Sequence, residues 1–528
     1  MRSLPSVSPP VVLFRGLFAG LLLLAGGCRA SDRHPAVTAP PSVAGPGELR
    51  HWPVPAPPPF QAAQPVLWVA LAAHLGPAGA PDPAGSPPLR LRGAAGPLTL
   101  IDAAGRRFQG QELLLHWRRQ ALPVTLRWRR RVQGPFASFE SADQAAARWR
   151  AQGVAVEIAR PRDWEVWAPA TARPPEGVAS RLVERTETQR WLLELRRPGA
   201  AVLLASPLRL EAAAGLHWNS GVYAGPFRLQ SDAHGGWSLV EQVPLERYLD
   251  GVVPHEIGAS APRAALEAQA VLARTWAVGN RHRFVVDGYH LCADTQCQVY
   301  SDPRQAGAAV RQAIAASRQK VLTAAGRPIH AVYHASNGGV AAGFDEVWSA
   351  EPVPYLRPAA DGPPAFAERF SVPLAPAALT GLLADGRQAY GADHPVFRWQ
   401  RLLTADQISR ALAADARALG SLRSVKVLER GPSGRVLALE IRGNAGATLL
   451  RRDAIRRTLR GLPSTLFVVK TAGPGVWRFE GGGFGHGAGL SQAGAIDLAG
   501  RGWNSSRILQ HYYPGTALQP LIELGDGL

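Results

Sequence analysis

The sequence lacks the signatures of several common function classes. It has no zinc-finger, RNA-binding or helix-turn-helix pattern and its Arg residues are scattered, which argues against nucleic acid as a partner. No Ser lies in a nucleophile elbow, so a Ser–His–acid triad is not indicated. Lysine is nearly absent, with three residues among 58 Lys and Arg, a bias that indicates a GC-rich genome rather than a mechanism.

Acidic residues are few relative to basic ones. The formal net charge of +18 suits an acidic partner such as anionic lipid or an acidic cell-wall polymer, although a solvated basic surface would give the same value. A chain of 528 residues can bury more than one core, and its length predicts about two to four domains.

The longest apolar run near the N-terminus, residues 16–26, is too short for a comfortable membrane span and is typical of a signal-peptide core. The sequence LAGGC ending at Cys28 resembles a bacterial lipobox, with Ala25 where Leu is commoner. We therefore predict a signal peptide over 1–28 with lipidation at Cys28. An ordinary secretory signal with an incidental Cys is the alternative, and both place the mature protein outside the cytoplasm, in the cell envelope facing periplasm or wall.

The region before residue 200 divides by composition. Residues 29–62 are rich in Pro and Ala and predict a tether. Short alternating strands predict a β-rich module over 63–133. Residues 134–172 resemble a SPOR peptidoglycan-binding repeat in the spacing of small residues, with structural filler as the alternative.

One carboxylate stands out in the stretch Val243–Asn280, where the pattern predicts a strand, a tight turn and a helix over 261–279. Glu256 lies at the turn beside apolar Val253 and Ile257, and partial desolvation there would raise its pKa. Cleavage of a glycosidic bond needs such an acid to protonate the leaving oxygen. Taken alone, this Glu is more typical of a surface or helix-terminal charge.

The two remaining cysteines form the pattern H-x-C-x4-C with His290, Cys292 and Cys297. Free thiols are uncommon outside the cytoplasm, so Cys292 and Cys297 are either a small disulfide or metal ligands. Zinc accepts thiolate and imidazole, but this spacing is not that of a standard finger. Both alternatives remain open.

A second dense stretch, Glu480–Ala493, is rich in glycine but lacks the Lys of a phosphate loop. Glycines allow close approach of backbone to a ligand or a sharp turn. A Gly-rich turn with a core His is the alternative to a binding site. The side chains suited to hydrogen bonding with sugar are His486, Ser491 and Gln492, and more weakly His334, Ser336, Asn337 and Glu346.

The elements VPLERYLDGVVPHEI, EAQAVLARTWA, CADTQCQVYSD, HASNGG and GFGHGAGLSQAGA resemble, in order and spacing, the SpoIID/LytB family of sporulation stage II protein D and amidase enhancers, from about residue 236 to 516. The resemblance implies an α+β domain over 200–518 with mixed sheets and packed helices, preceded by the β-rich N-terminal region. It also implies zinc at the matching cysteines, although Gln296 stands where some members have His.

The resemblance further implies a lytic transglycosylase that cleaves MurNAc–GlcNAc glycan strands of peptidoglycan, with Glu256 as catalytic acid and base. The chemistry needs one carboxylate, unlike hydrolysis with its usual pair. The alternative is an amidase enhancer that binds glycan in the same groove and stimulates a separate cell-wall amidase without cutting.

Overall fold

A computed structural model of the protein describes residues 49–77, 86–413 and 416–525, all within the unit that begins at Glu48. The predicted signal peptide, its Cys28 and the first part of the 29–62 tether lie outside the described residues. None of the described helices combines the length and apolar character that a membrane span requires.

The first half of the described chain is mostly strand, with one helix. Its elements are β1 (Val66–Leu75), β2 (Leu89–Gly93), β3 (Leu98–Ile101), β4 (Arg107–Gly110), β5 (Glu112–Phe136), α1 (Phe139–Arg150), β6 (Glu157–Ala159), β7 (Trp164–Pro169), β8 (Arg181–Arg197), β9 (Ala200–Leu203), β10 (Leu208–Ala212), β11 (Leu216–Trp218), β12 (Gly221–Tyr223), β13 (Phe227–Ser231) and β14 (Trp237–Pro244).

The second half mixes helices with short strands. Its elements are α2 (Leu245–Val253), α3 (Arg263–Asn280), β15 (Leu291–Cys292), α4 (Ala308–Ala316), β16 (Lys320–Ala324), β17 (Arg327–Pro328), β18 (Tyr333–His334), β19 (Val340–Ala341), α5 (Phe344–Val347), β20 (Ala359–Ala360), α6 (Pro364–Arg369), α7 (Pro376–Ala384), β21 (Arg398–Thr404), α8 (Ala405–Leu412), α9 (Ala416–Leu419), β22 (Leu422–Arg430), β23 (Val436–Gly443), β24 (Ala447–Arg451), α10 (Asp453–Thr458), β25 (Phe467–Gly473), β26 (Val476–Gly482), β27 (Leu490–Ser491), α11 (Gln492–Gly500), α12 (Ser505–Tyr512) and β28 (Ala517–Pro520). This mixture confirms the predicted α+β class.

Two large sheets contain the strands up to Pro244, and the first also includes the later strand β15. The first has the order β15-β1-β14-β13-β10-β3-β4, and the second contains β12-β11-β2-β5-β7-β6 with β8 and β9 attached to β5. Strands β2 and β10 alternate buried and exposed residues, so each gives one face to the core.

Strand β1 ties the predicted β-rich module to the later domain. It pairs antiparallel with β14 and parallel with the edge strand β15, so residues 66–75 lie inside a sheet in which four of the seven strands come after residue 200. The module predicted over 63–133 is therefore rich in strands but shares its sheets with the 200–518 domain. Composition cannot reveal that these two regions share sheets, because pairing between distant strands leaves no local sequence pattern.

The SPOR-like assignment of 134–172 stays a prediction. Its helix is present as α1, capped by the Ser138 side chain, which accepts from the Ser141 N–H.

Helix α3 is the central support of the second half. Nearly all its residues are buried, among them Leu266, Ala270, Ala273 and Ala277. The helices α2, α4, α11 and α12 and strand β16 all pack against it, and its small side chains allow this close approach. The helix predicted over 261–279 is thus confirmed with slightly shifted ends.

The sequence-based interpretation of 245–253 as strand and turn was wrong, because this segment is helix α2. Leu245, Leu249 and Val252 are spaced by four and three residues and are fully buried, which is a helical pattern. The strand preceding it ends at Pro244.

A separate apolar cluster supports the segment 398–482. It packs β21, β25 and β26 with β22–β24 and helix α8, and its buried members include Trp399, Leu439, Phe467 and Phe479. Helix α10 follows β24 in this part of the chain and contains Arg456 and Arg457.

Candidate active site

A groove of about 1730 Å³ runs between the end of helix α2 and helix α10. Its lining includes Glu256, Gln298, Val299, Tyr333 and His486. The two dense sequence stretches meet at this groove, because Glu256 comes from Val243–Asn280 and His486 from Glu480–Ala493.

Glu256 projects from a widened helical turn. Residues Pro254–Gly258 form a π-helical turn directly after α2. Pro254 has no backbone N–H and cannot continue the α-helical hydrogen bonds, so the turn widens at this point. Gly258 then takes a φ of 89°, in the left-handed region, and ends the element. The carboxylate is left half-buried at the groove wall.

The surroundings of Glu256 raise the pKa of its carboxyl group. Burial is the largest cause, and it outweighs the opposing hydrogen bonds from the Val299 N–H and the Tyr333 hydroxyl. The Val299 N–H donates to Oε1 at 2.8 Å. Among the described residues, no other carboxylate contributes to this shift. The result is a carboxyl group with a raised pKa that accepts hydrogen bonds from two donors.

Tyr333 connects Glu256 to a buried polar network. Its hydroxyl donates to Glu256 and accepts from the side-chain amide of Gln298 at 2.9 Å. The Gln298 amide oxygen accepts in turn from the Tyr248 hydroxyl at 3.1 Å. Because Tyr248 lies on α2 and Tyr333 on β18, this network fixes the phenol against the carboxylate.

His486 supports Tyr333 from behind. Its Nε2 lies 2.8 Å from the Tyr333 carbonyl, and its Nδ1 accepts from the Ala488 N–H at 3.2 Å. Burial, together with the positive charge of Arg456, lowers the pKa of His486 to about 4. The ring is therefore neutral near pH 7 with both nitrogens in use, which suits positioning rather than proton transfer.

The other predicted sugar-binding residues do not line the groove. Ser336 and Asn337 are buried, and the Asn337 amide donates to Asp361 at 2.6 Å and accepts from the Gly339 N–H. His334 is also buried, with Nδ1 on the Ala488 carbonyl at 3.1 Å. These contacts lie within the protein, whereas the buried Nε2 of His334 has no hydrogen-bond partner among the described residues. The role of the three residues in sugar binding stays a prediction.

Glu346, Ser491 and Gln492, the other three residues predicted to bind sugar, also form hydrogen bonds within the protein. Glu346 accepts from the Gly343 N–H at 2.6 Å and from the N–H and hydroxyl of Ser433 at 2.8 Å each. Ser491 caps helix α11, and the Gln492 amide donates to Gln269 at 3.3 Å. A polar side chain in a sequence motif can cap a helix or form a buried hydrogen bond as readily as it can bind a ligand. Glu346, Ser491 and Gln492 form such contacts within the protein.

The glycine-rich stretch approaches its own chain. Ser336 and Phe484 exchange two backbone hydrogen bonds, at 3.1 and 2.7 Å. A Cβ at Gly485 would lie 2.6 Å from that of His334, and Gly485 has a φ of 112°. The glycines therefore allow tight packing of 482–489 against 332–338, which brings His486 to Tyr333.

The cysteine pair forms a disulfide between Cys292 and Cys297. His290 is turned away from it, because its Nδ1 accepts from the Trp68 N–H at 2.9 Å and burial lowers the pKa of the ring to about 4. Sulfurs joined in this way are not thiolate ligands, and the described residues contain no His, Cys, Asp and Glu grouping suited to a metal. These three residues do not fit the zinc site that the resemblance implies.

The disulfide instead shapes the loop that serves Glu256. Gln298 and Val299 follow Cys297 directly and supply the Tyr333 contact and the N–H donor to the carboxylate. Sequence reasoning did not single out Gln298, Val299 or Tyr333. The only available signal was their place beside Cys297 and His334 in recognisable motifs.

Comparison with known proteins now bears on this site. A family model described as Stage II sporulation protein matches residues 233–323, and a Domain of unknown function (DUF8618) matches 342–489. Stage II sporulation protein D of Bacillus amyloliquefaciens is 31% identical over 295 residues, which cover 52% of this chain and 74% of that protein.

The chain belongs to the SpoIID family. Stage II sporulation protein D of Bacillus subtilis is 28% identical over 298 residues, covering 53% of this chain and 75% of that protein. The Amidase enhancer of the same organism is 30% identical over 293 residues, 51% of this chain and 40% of its own length. The family resemblance predicted from the motifs is confirmed. The SpoIID family model includes Glu256 and both disulfide cysteines, whereas the wall containing α10 falls in the domain of unknown function.

Proposed function

We propose that this SpoIID-family chain is an exported lytic transglycosylase that cleaves MurNAc–GlcNAc bonds in peptidoglycan glycan strands. The observation that supports the proposal is Glu256, a half-buried carboxyl with a raised pKa, held by two hydrogen-bond donors at the wall of a long groove. A groove rather than a closed pocket suits a polymer.

In the proposed reaction, protonated Glu256 donates its proton to the glycosidic oxygen as the bond to the MurNAc anomeric carbon breaks. The resulting carboxylate then accepts the proton of the MurNAc C6 hydroxyl while that oxygen attacks the same carbon. The products are a 1,6-anhydro end and a free GlcNAc hydroxyl, and no water is consumed. One carboxyl group performs both transfers, consistent with the absence of a second carboxylate effect on Glu256 among the described residues.

Val299 and Tyr333 set the proton affinity of this acid. Both donate to the carboxylate and favour its ionised form, whereas burial favours the protonated form. The balance gives an acid that can protonate a leaving group and later take a proton back.

A second candidate function is that of a non-catalytic amidase enhancer. The similarity to a relative named Amidase enhancer favours it. In that case the same groove would bind glycan and a separate cell-wall amidase would be the partner. Lipidation at Cys28 would anchor the protein to the membrane facing periplasm or wall under either candidate.

Product analysis separates the two candidates. The purified protein is incubated with peptide-free glycan strands and the soluble products are examined by mass spectrometry. We expect fragments with 1,6-anhydro ends. Binding to strands without any fragment, combined with faster release of peptides when an amidase is added, would instead establish the enhancer.

Replacing Tyr333 with Phe should move the pH dependence of cleavage. Loss of the hydroxyl removes a hydrogen bond that stabilises the ionised carboxylate, so the pKa of Glu256 rises further. Since the acid must start protonated, activity is lost as pH rises through that pKa, and the alkaline limb of the rate profile should shift to higher pH. Tyr355→Phe, which removes a hydroxyl that accepts from the His330 N–H, is the matched control. An unchanged limb in Tyr333→Phe would contradict the role given to this phenol.

A further inference from the structure

The lining of the groove has an excess of positive charge, with eight Arg residues against five Asp and Glu residues. Three of the Arg residues that line it are neutralised by neighbouring carboxylates. These pairs are Arg160 with Asp294, Arg283 with Glu140, and Arg457 with Asp163. Other lining Arg residues have no carboxylate partner among the described residues, and Arg452 and Arg456 are the two that are half-buried.

Arg456 is the least satisfied of these cations. It lies on α10, and no hydrogen bond or ion pair reaches it within the part of the chain that the structure describes; its enclosed Nε has no partner. Desolvation without compensation lowers its pKa. A guanidinium held out of water without an anion costs free energy, so its retention here points to a ligand that provides the missing charge.

Arg452 directly precedes the first residue of α10. Its Nε donates to the Asp345 carbonyl at 2.7 Å, which fixes the side chain without neutralising it. Two guanidinium groups that line the same groove repel each other. An anion bound between two guanidinium groups would remove this repulsion and accept several hydrogen bonds.

The position of Arg456 relates the unpaired charge to the candidate acid. Its field lowers the pKa of both His486 and His334, so it lies close to the ring that supports Tyr333. Tyr333 in turn contacts Glu256. Arg456 and Glu256 thus line the same groove, which has a volume of about 1730 Å³.

We propose that Arg456, assisted by Arg452, is an anion subsite of the groove that binds a carboxylate carried by the glycan strand. The identity of the strand rests on the proposed function, whereas the need for an anion rests on the charges alone. Two carboxylates on such strands share this chemistry: the lactyl group of peptide-free muramic acid and the free acids of stem peptides.

The test measures binding by full-length protein carrying Glu256→Gln, so that the strands are not consumed. The probes are peptide-free strands, the same strands with carboxylates amidated by methylamine, and peptide-bearing strands. We expect Arg456→Gln to weaken binding to one class of carboxylate-bearing strand by roughly tenfold or more, the usual scale for a lost charge-assisted hydrogen bond. The type of strand whose binding is weakened identifies the source of the carboxylate.

Controls separate binding from folding and from general charge. Arg456→Lys should retain much of the affinity, and Arg423→Gln, an exposed position outside the groove lining, should retain all of it. Because Arg456 has no partner to lose, Arg456→Gln should not lower the melting temperature.

Equal binding of all three probes by the Arg456→Gln protein and its parent would overturn the subsite, as would failure of the parent to bind any carboxylate-bearing strand. Arg456-dependent binding without cleavage by the protein with Glu256 intact would leave the subsite standing and remove only the transglycosylase proposal.

Discussion

Replacement of Glu256 by Gln is expected to reduce the release of anhydro-terminated fragments by about 10²–10⁴-fold, the usual contribution of a general acid or base. The amide has the shape of the carboxyl group but can neither give a proton to the glycosidic oxygen nor take one from the C6 hydroxyl. The measurement is the initial rate of fragment release from peptide-free glycan strands.

The same variant should fold normally. Burial raises the pKa of Glu256 in the folded chain, so above that pKa the ionised carboxylate opposes folding, and this opposition disappears below the unfolded pKa. Gln carries no charge, and at neutral pH the variant should be at least as stable as the parent. Glu429→Gln, at an exposed ion pair with Arg451, is the matched control and should leave both rate and stability unchanged. A Glu256→Gln protein that cuts at the parental rate would remove Glu256 from the mechanism.

Replacement of Glu246 by Ala is expected to cause the largest loss of stability, about 3–5 kcal/mol, the usual cost of breaking a buried ion pair. Glu246 lies in the first turn of α2, and its two carboxylate oxygens accept from the fully buried Arg274 on α3 at 2.9 and 2.7 Å. The guanidinium also donates to the Lys320 carbonyl at 3.1 Å. Removal of the carboxylate leaves this cation enclosed without an anion. Chemical denaturation at neutral pH gives the free energy of unfolding.

Two controls accompany Glu246→Ala. Glu429→Ala breaks an exposed pair and should change stability little. The double replacement Glu246→Leu with Arg274→Met removes both charges and should recover part of the loss, because an apolar pair replaces a buried charged one. A loss from Glu246→Ala as small as that from Glu429→Ala would show that Arg274 is stabilised by its carbonyl contacts alone. Since α2 leads into the turn that carries Glu256, partial loss of activity should accompany the loss of stability.

Local sequence pattern was sufficient for helix α3 and for the α+β class. The spacing of Leu266, Ala270 and Ala273 predicts a buried helical face, and the alternation in β2 and β10 predicts strands with one buried side. Local sequence pattern failed for helix α2, because the apolar residues just after β14 suggested a continuing strand. It could not place β1 between β14 and β15, because that pairing joins residues more than 150 positions apart.

The candidate site could be predicted only in part, for a similar reason. Glu256 and His486 were identified because an acid at an apolar turn and a His among glycines are visible locally. Tyr333, Gln298 and Arg456 gain their roles from contacts between distant segments, which the sequence alone does not display. Glu346, Asn337 and Ser491 show a second limit of sequence pattern. They are polar and lie in motifs, but their side chains form hydrogen bonds within the protein.

The central claim is that one carboxyl group cuts a glycan strand without water, and digestion in ¹⁸O-labelled water tests it most directly. The protein is incubated with peptide-free strands in the labelled solvent, and the new ends are examined by mass spectrometry. The proposed mechanism predicts 1,6-anhydro ends that carry no label, and their loss in the Glu256→Gln protein. New reducing ends that contain ¹⁸O would contradict it, because they would show that water, and not the C6 hydroxyl, attacks the sugar.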